Sequence, residues 1–379
     1  MLQLEGPLCK NMMIDSIIFL IRGNRVYEAQ HLKDRVLVRV SGSEAPPFLQ
    51  GLITNDMDHL VEDDDRGLLL FTPTKNEETI KSTASDDAGK PIALLRRSMY
   101  ALFLNTSGRI MFDIIITHLT NECFLIDCNT DSAAKLVKHL KMYRVRRKID
   151  VSIEDSLQVW SVFSKDIRPS DDLTHRIMAE DFLKLNIGAD GVISAADPRS
   201  KQLGFRVIIE NLNSQSAKKL MELNAGTKDR YKLLRYKLGI SESPYELITS
   251  KALPLESNAD YLHGISFHKG CYIGQELTAR THHTGVVRKR IMPLTFSRNH
   301  QGLSFETGAN LENETTGKSV GKLMGQINNC GMGLMRVEEC VEAEKKGENI
   351  VISNNKDVIV NVFRPTWWPE ISPIKLPVK

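Results

Sequence analysis

The segment 269–276 places a single thiol among residue types that suit a working cysteine. In one-letter code it reads KGCYIGQE. The glycines at 270 and 274 let the backbone take turns that a residue with a Cβ atom resists. Lys269 puts a cation near Cys271, and nearby positive charge favours the thiolate, the form that attacks electrophiles or binds metal. The pattern indicates a reactive or metal-binding cysteine, with Lys269, Gln275 and Glu276 as its candidate supporting residues.

A structural role for Cys271 is the alternative. Free cysteines are commonly small buried apolar residues that only fill space in a core. The flanking glycines, the lysine and the polar pair after Gly274 favour the functional interpretation over this one.

Metal binding is one chemistry that this segment could support. Histidines lie nearby at positions 263, 268, 282 and 283. Imidazole and thiolate ligands suit zinc, copper and iron–sulfur centres. A structural zinc site needs four ligands at recognisable spacing, and this stretch has one cysteine. A site shared with a partner, in which Cys271 supplies one thiolate to an iron–sulfur cluster, therefore fits the residues better than a self-contained site.

Two further places could bind a ligand. Asp113, with Arg109 four residues earlier, lies at the start of a predicted strand and could face a cleft as part of a cofactor site, although a lone acid can equally satisfy a turn. The basic run 144–148 could contact phosphate or RNA, but cations also favour the end of a solvated helix. No glycine-rich phosphate loop and no hydrolase triad can be recognised.

The composition is that of an ordinary globular protein. The chain has 379 residues, with 41% hydrophobic and 26% charged residues. A net charge of +3 gives no drive toward nucleic acid or an anionic membrane. Six cysteines without a C-x-x-C pair argue against a disulfide framework and indicate a reducing compartment. No apolar run is long enough to span a bilayer, so no membrane association is expected.

The hydrophobic pattern predicts an α+β protein followed by a small β-domain. Strands are predicted at 35–40, 110–119, 123–128 and 149–153, with a helix beginning at Asp131 or Ser132. A second unit follows, with strands at 157–163 and 204–209 and helices at 214–223 and 228–238. Later short strands, at 292–296, 320–327, 334–338 and 358–363, predict a β-barrel or sandwich.

These elements divide the chain into four parts. Residues 1–31 form a weak presequence, because acidic residues balance its few cations. Residues 32–150 are the first α+β domain, with an exposed polar insertion at 72–98. Residues 151–285 are the second α+β domain, which carries the KGCYIGQE motif, and residues 286–379 are the C-terminal β-barrel domain.

The motifs resemble those of the YgfZ-type proteins, relatives of the glycine-cleavage aminomethyltransferase. KGCYIGQE is the most specific of them, and FLQGLITND at 48–56, LNxxGR at 104–109, DPR at 197–199 and PLE at 254–256 agree with it. The extension 277–290 and the tryptophans at 367 and 368 resemble the mitochondrial branch, an iron–sulfur cluster assembly factor that serves aconitase-like enzymes.

This resemblance implies a tetrahydrofolate-binding aminomethyltransferase-like fold with a C-terminal small β-barrel. It implies a role in maturing 4Fe-4S client enzymes together with an A-type scaffold protein in the mitochondrial matrix. By the same resemblance, Cys271 is the shared cluster ligand, and tetrahydrofolate is a candidate second cofactor.

A folate-dependent one-carbon transferase is the alternative function. The aminomethyltransferases carry paired acids where this chain has Phe112 and Asp113. With one carboxylate absent, the residues favour an assembly factor that acts by binding rather than by turnover.

Overall fold

A computed structural model of the protein describes residues 27–61, 98–120, 122–164, 192–210, 214–224, 229–297 and 304–369. The predicted insertion at 72–98 lies outside these residues apart from Ser98. The presequence predicted at 1–31 also lies outside them, except for residues 27–31.

The first sheet has five antiparallel strands in the order β3-β4-β5-β2-β6. They are β2 (Arg35–Ser41), β3 (Ser98–Leu104), β4 (Ile110–Thr120), β5 (Cys123–Asn129) and β6 (Asp150–Glu154). Helices α1 (Ala45–Gln50), α2 (Asp58–Val61) and α3 (Thr130–Arg144) accompany it. The Asn129 side chain caps α3 by accepting a hydrogen bond from the backbone N–H of Asp131. The predicted hairpin, helix and following strand are therefore confirmed.

The second sheet contains a strand from the stretch that was predicted to be presequence. Its order is β1-β7-β9-β8, formed by β1 (Tyr27–His31), β7 (Gln158–Ser164), β8 (Ile193–Ala196) and β9 (Phe205–Ile209). Residues 27–31 pair along their whole length with β7 and bury Tyr27 and Ala29, so ordered structure begins before residue 32. Helices α4 (Gln215–Leu223) and α5 (Arg230–Leu238) follow these strands.

The C-terminal part is a closed six-stranded barrel in the order β10-β13-β12-β11-β14-β15. A single helix, α6 (Gln275–Thr284), precedes it, and α7 (Val337–Lys346) lies between two of its strands. The barrel strands are β10 (Lys289–Phe296), β11 (Asn310–Asn313), β12 (Ser319–Ile327), β13 (Cys330–Arg336), β14 (Ile350–Ile352) and β15 (Asn355–Val362).

The predicted C-terminal end of one barrel strand was wrong. The apolar pattern predicted a strand up to residue 338, but the chain becomes helical at Val337. Glu338 and Glu339 lie in the first turn of α7 and Lys345 and Lys346 in its last, which complements the helix dipole.

One of the four apolar clusters of the described residues is shared by the three parts. A central cluster of buried side chains includes Leu37 from the first sheet, Val159 from the second and Met332 from the barrel. The α+β class with a C-terminal barrel is confirmed. No helix in the described part of the chain combines the length and the apolar character that crossing a bilayer requires.

Candidate functional site

Lys269 fastens the motif loop to the segment after α1. Its ammonium group donates hydrogen bonds of 2.7, 2.8 and 2.7 Å to the carbonyl oxygens of Gln50, Ile53 and Asn55. These bonds use all three donors of the group. Burial lowers the pKa of Lys269 to about 8, so the side chain remains charged at neutral pH. The geometry gives Lys269 a positioning role, while its effect on the Cys271 thiol stays a prediction.

Two glycines let the motif loop pack directly on the turn between β3 and β4. Gly274 has φ +80°, and a Cβ atom there would lie 2.2 Å from the carbonyl oxygen of Asn105. Gly108 has φ +75°, and its Cβ would lie 3.0 Å from the carbonyl oxygen of Gly274 and 3.0 Å from the Cβ of Leu277. The motifs at 104–109 and 269–276 therefore meet backbone to backbone, as only glycine allows.

The polar pair of the motif starts helix α6. The Gln275 side-chain oxygen accepts a 3.1 Å hydrogen bond from the backbone N–H of Tyr272, which closes the loop onto the helix. Glu276 is exposed in the first turn, where a carboxylate is stabilised by the helix dipole. Ile273 adds a backbone hydrogen bond of 3.2 Å to the carbonyl oxygen of Gly51.

Cys271 is the exposed cysteine of the described residues. It lies in the loop next to Gly270, where a Cβ atom would meet nothing within 4 Å beyond its chain neighbours. Cys123 is half-buried, whereas Cys128, Cys330 and Cys340 are buried. Burial raises the pKa of Cys128 and of Cys340 to about 12, which keeps these thiols protonated and inert. The thiol that the sequence singled out is therefore the accessible one.

The nearby histidines do not complete a metal site with Cys271. His282 stacks on Phe267 with ring centroids 3.5 Å apart, and burial lowers the pKa of His282. His283 meets the same ring edge-on at 6.4 Å. In the parts of the chain that the structure describes, no group of three or more His, Cys, Asp or Glu side chains could hold a metal ion. A metal centre at Cys271 would need ligands from outside the described residues.

Asp113 lies in a different place, inside a buried cluster of charges. It accepts hydrogen bonds of 3.1 Å from the Arg35 guanidinium and 3.2 Å from the backbone N–H of Ser243. The cluster joins four arginines to five acids: Arg35, Arg199, Arg206 and Arg235, with Asp113, Asp127, Asp197, Glu242 and Glu246. The motifs and their spacing predicted no role for most of these residues.

A signal for this cluster was present in the strand pattern. On β2, Arg35 lies two residues before the buried Leu37. On β9, Arg206 lies between the buried residues Phe205 and Val207. A charged residue at a position facing the core must be paired when it is buried. Such positions therefore predict an internal ion network, although the pattern cannot say which acids complete it.

In the described part of the chain, Asp113 is enclosed and does not face an open cleft. The space bordered by Phe112, Asp113 and Asn129 is too small to admit a water molecule. Both carboxylate oxygens of Asp113 are already hydrogen-bonded. Arg109, the other predicted cofactor residue, donates a 2.6 Å hydrogen bond to the carbonyl oxygen of Lys251 and so holds the neighbouring segment in place.

Comparison with known proteins adds independent findings. Residues 288–370 match the family described as CAF17, C-terminal beta-barrel domain. A crystal structure of glycine cleavage system aminomethyltransferase T from Bartonella henselae superposes with a TM-score of 0.60 and 15% identity, covering 93% of this chain and 88% of that one. This likeness shows the fold alone and confirms the predicted aminomethyltransferase-like architecture.

Curated relatives match along most of the chain. Iron-sulfur cluster assembly factor IBA57, mitochondrial, of Mus musculus is 34% identical over 346 residues, which cover 89% of this chain and 84% of the relative. The Homo sapiens protein of the same name is 34% identical over 345 residues, covering 90% and 85%. The family resemblance carried by the motifs is thereby confirmed. The chain belongs to the family of mitochondrial iron–sulfur cluster assembly factors named IBA57.

Proposed function

We propose that this protein assists the maturation of iron–sulfur proteins in the mitochondrial matrix. Cys271 would bind one iron of a cluster that is held jointly with a scaffold protein. The relatives at 34% identity are named as mitochondrial assembly factors of this kind, which supports both the process and the compartment.

The observation that carries the proposal is an accessible thiol on a firmly held loop. Cys271 is exposed, while Lys269 and Gly274 fix the backbone on either side of it. Thiolates are the usual protein ligands of iron–sulfur clusters. Because no group of three or more potential ligand side chains occurs among the described residues, the remaining ligands would come from the partner. The cluster is then cargo in transit rather than a resident cofactor.

The partners follow from the same chemistry and from the family resemblance. A scaffold of the A-type, loaded with a cluster, would meet the exposed face of the motif loop. The 4Fe-4S client enzymes would receive the cluster from this complex. The protein would act by binding and not by turnover of a small substrate.

Folate-dependent one-carbon transfer has less support. That reaction would require Asp113 to face a bound folate, but the carboxylate is engaged with Arg35 and Ser243, and the pocket that it lines among the described residues has no room for a water molecule. Asp113→Asn is therefore expected to change protein stability, and Cys271→Ser to change cluster binding. A folate chemically altered by the protein with an aminomethyl donor would reverse this ranking.

The decisive experiment is anaerobic mixing of the protein with a cluster-loaded A-type scaffold, followed by visible absorption spectroscopy of the isolated complex. The Cys271→Ser protein should lose the cluster absorption, because a hydroxyl is a poor ligand for iron in a cluster. Cys123→Ser, which removes a half-buried thiol, serves as the matched control and should retain the absorption. An unchanged spectrum for Cys271→Ser would refute the ligand role.

A further inference from the structure

A cavity of about 520 Å³ lies between helix α6 and the start of the barrel. Its walls are the segment 253–256, the face of α6 that carries Thr278, the residues 286–289 that lead into β10, and Arg336 at the end of β13. Cys271 does not line the cavity, so it is separate from the thiol proposed to bind a cluster.

The size and the apolar part of the wall suit a small organic molecule. Ligand pockets in proteins commonly enclose about 300–1,000 Å³ and are lined mainly by apolar side chains. Leu255, Leu277 and Val287 provide such a surface here. An apolar body of the size of one or two rings would bury its surface against them.

The charged part of the wall favours an anion. Three cations, Arg288, Lys289 and Arg336, face one carboxylate, Glu256. Burial raises the pKa of Glu256. Within the described residues, no ion pair or side-chain hydrogen bond is found for Arg288 or Arg336. Guanidinium groups bind carboxylates and phosphates with two parallel hydrogen bonds.

A buried hydroxyl in the wall also lacks a partner. Thr278 is only 2% exposed, and its Oγ1 has no hydrogen-bond partner among the described residues. Thr281, one turn further along the same helix, instead donates to the carbonyl oxygen of Leu277. A buried polar group without a partner costs about 1–3 kcal/mol. A polar atom of a bound ligand would remove this cost.

We propose that this cavity is a binding site for a small organic anion, in which a carboxylate or phosphate meets Arg288 and Arg336. The apolar body of the ligand packs against Leu255 and Leu277, and one of its polar atoms bonds to Thr278. Because α6 begins directly after the motif loop, an occupied cavity also restrains the helix on which that loop rests.

The test uses phenyl phosphate and benzoate as probes, with benzyl alcohol as the neutral control. Binding to the full-length protein is followed by NMR of methyl groups and by amide hydrogen exchange of α6. At least one anionic probe should bind saturably and protect α6 from hydrogen exchange. The affinity for benzyl alcohol should be lower by a factor of about ten or more, which corresponds to the loss of about 1.4 kcal/mol of charge interaction. Equal binding of benzyl alcohol, or no saturable binding of either anion, would overturn the proposal.

Variants locate the binding and separate it from the cluster role. Arg288→Gln combined with Arg336→Gln should weaken anion binding about tenfold or more, and Thr278→Val should weaken it less. Lys322→Gln, an exposed cation elsewhere on the barrel, should leave binding unchanged. Cys271→Ser should bind the probes like the wild type, so the two proposals can fail independently. If the double arginine variant binds the anionic probes as tightly as the wild type, the anion lies elsewhere. If the double variant unfolds, Arg288→Gln alone serves for the same comparison.

Discussion

At the scale of single residues, the motif combines an exposed thiol with neighbouring residues that position its loop. Cys271 is exposed, whereas the Lys269 ammonium group is fully occupied by three backbone carbonyls. A lysine two residues before the cysteine predicts electrostatic support of the thiol, and this stays a prediction. The Lys269 ammonium group donates its hydrogen bonds to the 50–55 segment, where it satisfies three backbone carbonyl oxygens.

Alkylation should separate Cys271 from the buried cysteines. In a Cys9→Ser background, iodoacetamide at about pH 8 should modify Cys271 first, because burial raises the pKa of Cys128 and Cys340 to about 12 and leaves little thiolate. Peptide mass spectrometry over time measures the order of modification. Adding Cys271→Ser should remove the fast phase. Equally fast modification of Cys340 in the native protein would contradict the burial pattern.

Replacing Lys269 should destabilise the protein. Lys269→Met keeps the apolar stem but leaves three carbonyl oxygens without their charged donor, for an expected loss of about 2–4 kcal/mol of unfolding free energy. Urea denaturation measures this difference. Lys251→Met, at an exposed lysine, is the control and should change stability little. Similar stability of the two variants would argue against the positioning role.

At the scale of elements, the site depends on the junction between the β3–β4 turn and the start of α6. Gly108 and Gly274 both adopt positive φ angles and face each other across this junction. The sequence alone does not predict that these two glycines are in contact, because more than 160 residues separate them. Their contact makes the position of the thiol depend on the first sheet.

A pair of alanine substitutions should show this dependence. Gly274→Ala imposes a positive φ on a residue with Cβ, which costs about 1–2 kcal/mol, and its Cβ would lie 2.2 Å from the Asn105 carbonyl oxygen. It should lower the melting temperature and reduce cluster retention although Cys271 is intact. Gly270→Ala, with nothing within 4 Å of its Cβ, should have little effect on either. Equal effects of the two substitutions would refute the packing argument.

At the scale of the whole molecule, the buried ion cluster links elements that are distant in sequence. Glu242 bonds Arg199 at 2.6 Å and Arg206 at 2.9 Å, and lies 3.6 Å from Arg35 of the first sheet. Burial alone would raise the pKa of Glu242, but the arginines hold it well below its usual value of 4.5. The carboxylate therefore stays charged in the folded protein under conditions where the unfolded chain takes up a proton.

This difference makes stability depend on pH. The contribution of Glu242 is complete above about pH 4.5, the pKa of an unfolded glutamate, and is lost progressively as the pH falls toward the lower pKa of the folded state. Urea unfolding from pH 7 to about pH 3 should show this fall. Glu242→Gln should cost about 3–5 kcal/mol at pH 7 and flatten the fall.

An exposed glutamate provides the comparison for this measurement. Glu344→Gln removes a carboxylate on the surface of α7 and should leave both the stability and its pH dependence close to the wild type. If Glu242→Gln had the same steep acid dependence as the wild type, other carboxylates and not Glu242 would govern acid unfolding.

The sequence determined the thiol, the motifs around it, most strands and helices, and the family, because these depend on local composition, periodicity and short patterns. The tertiary structure decided where Lys269 points, that β1 joins the second sheet, that Asp113 is buried against Arg35, and that a cavity lies beside α6. Each of these depends on contacts between residues far apart in the chain. A local sequence pattern indicates that a buried arginine needs a partner, but only the three-dimensional packing determines which acid pairs with it.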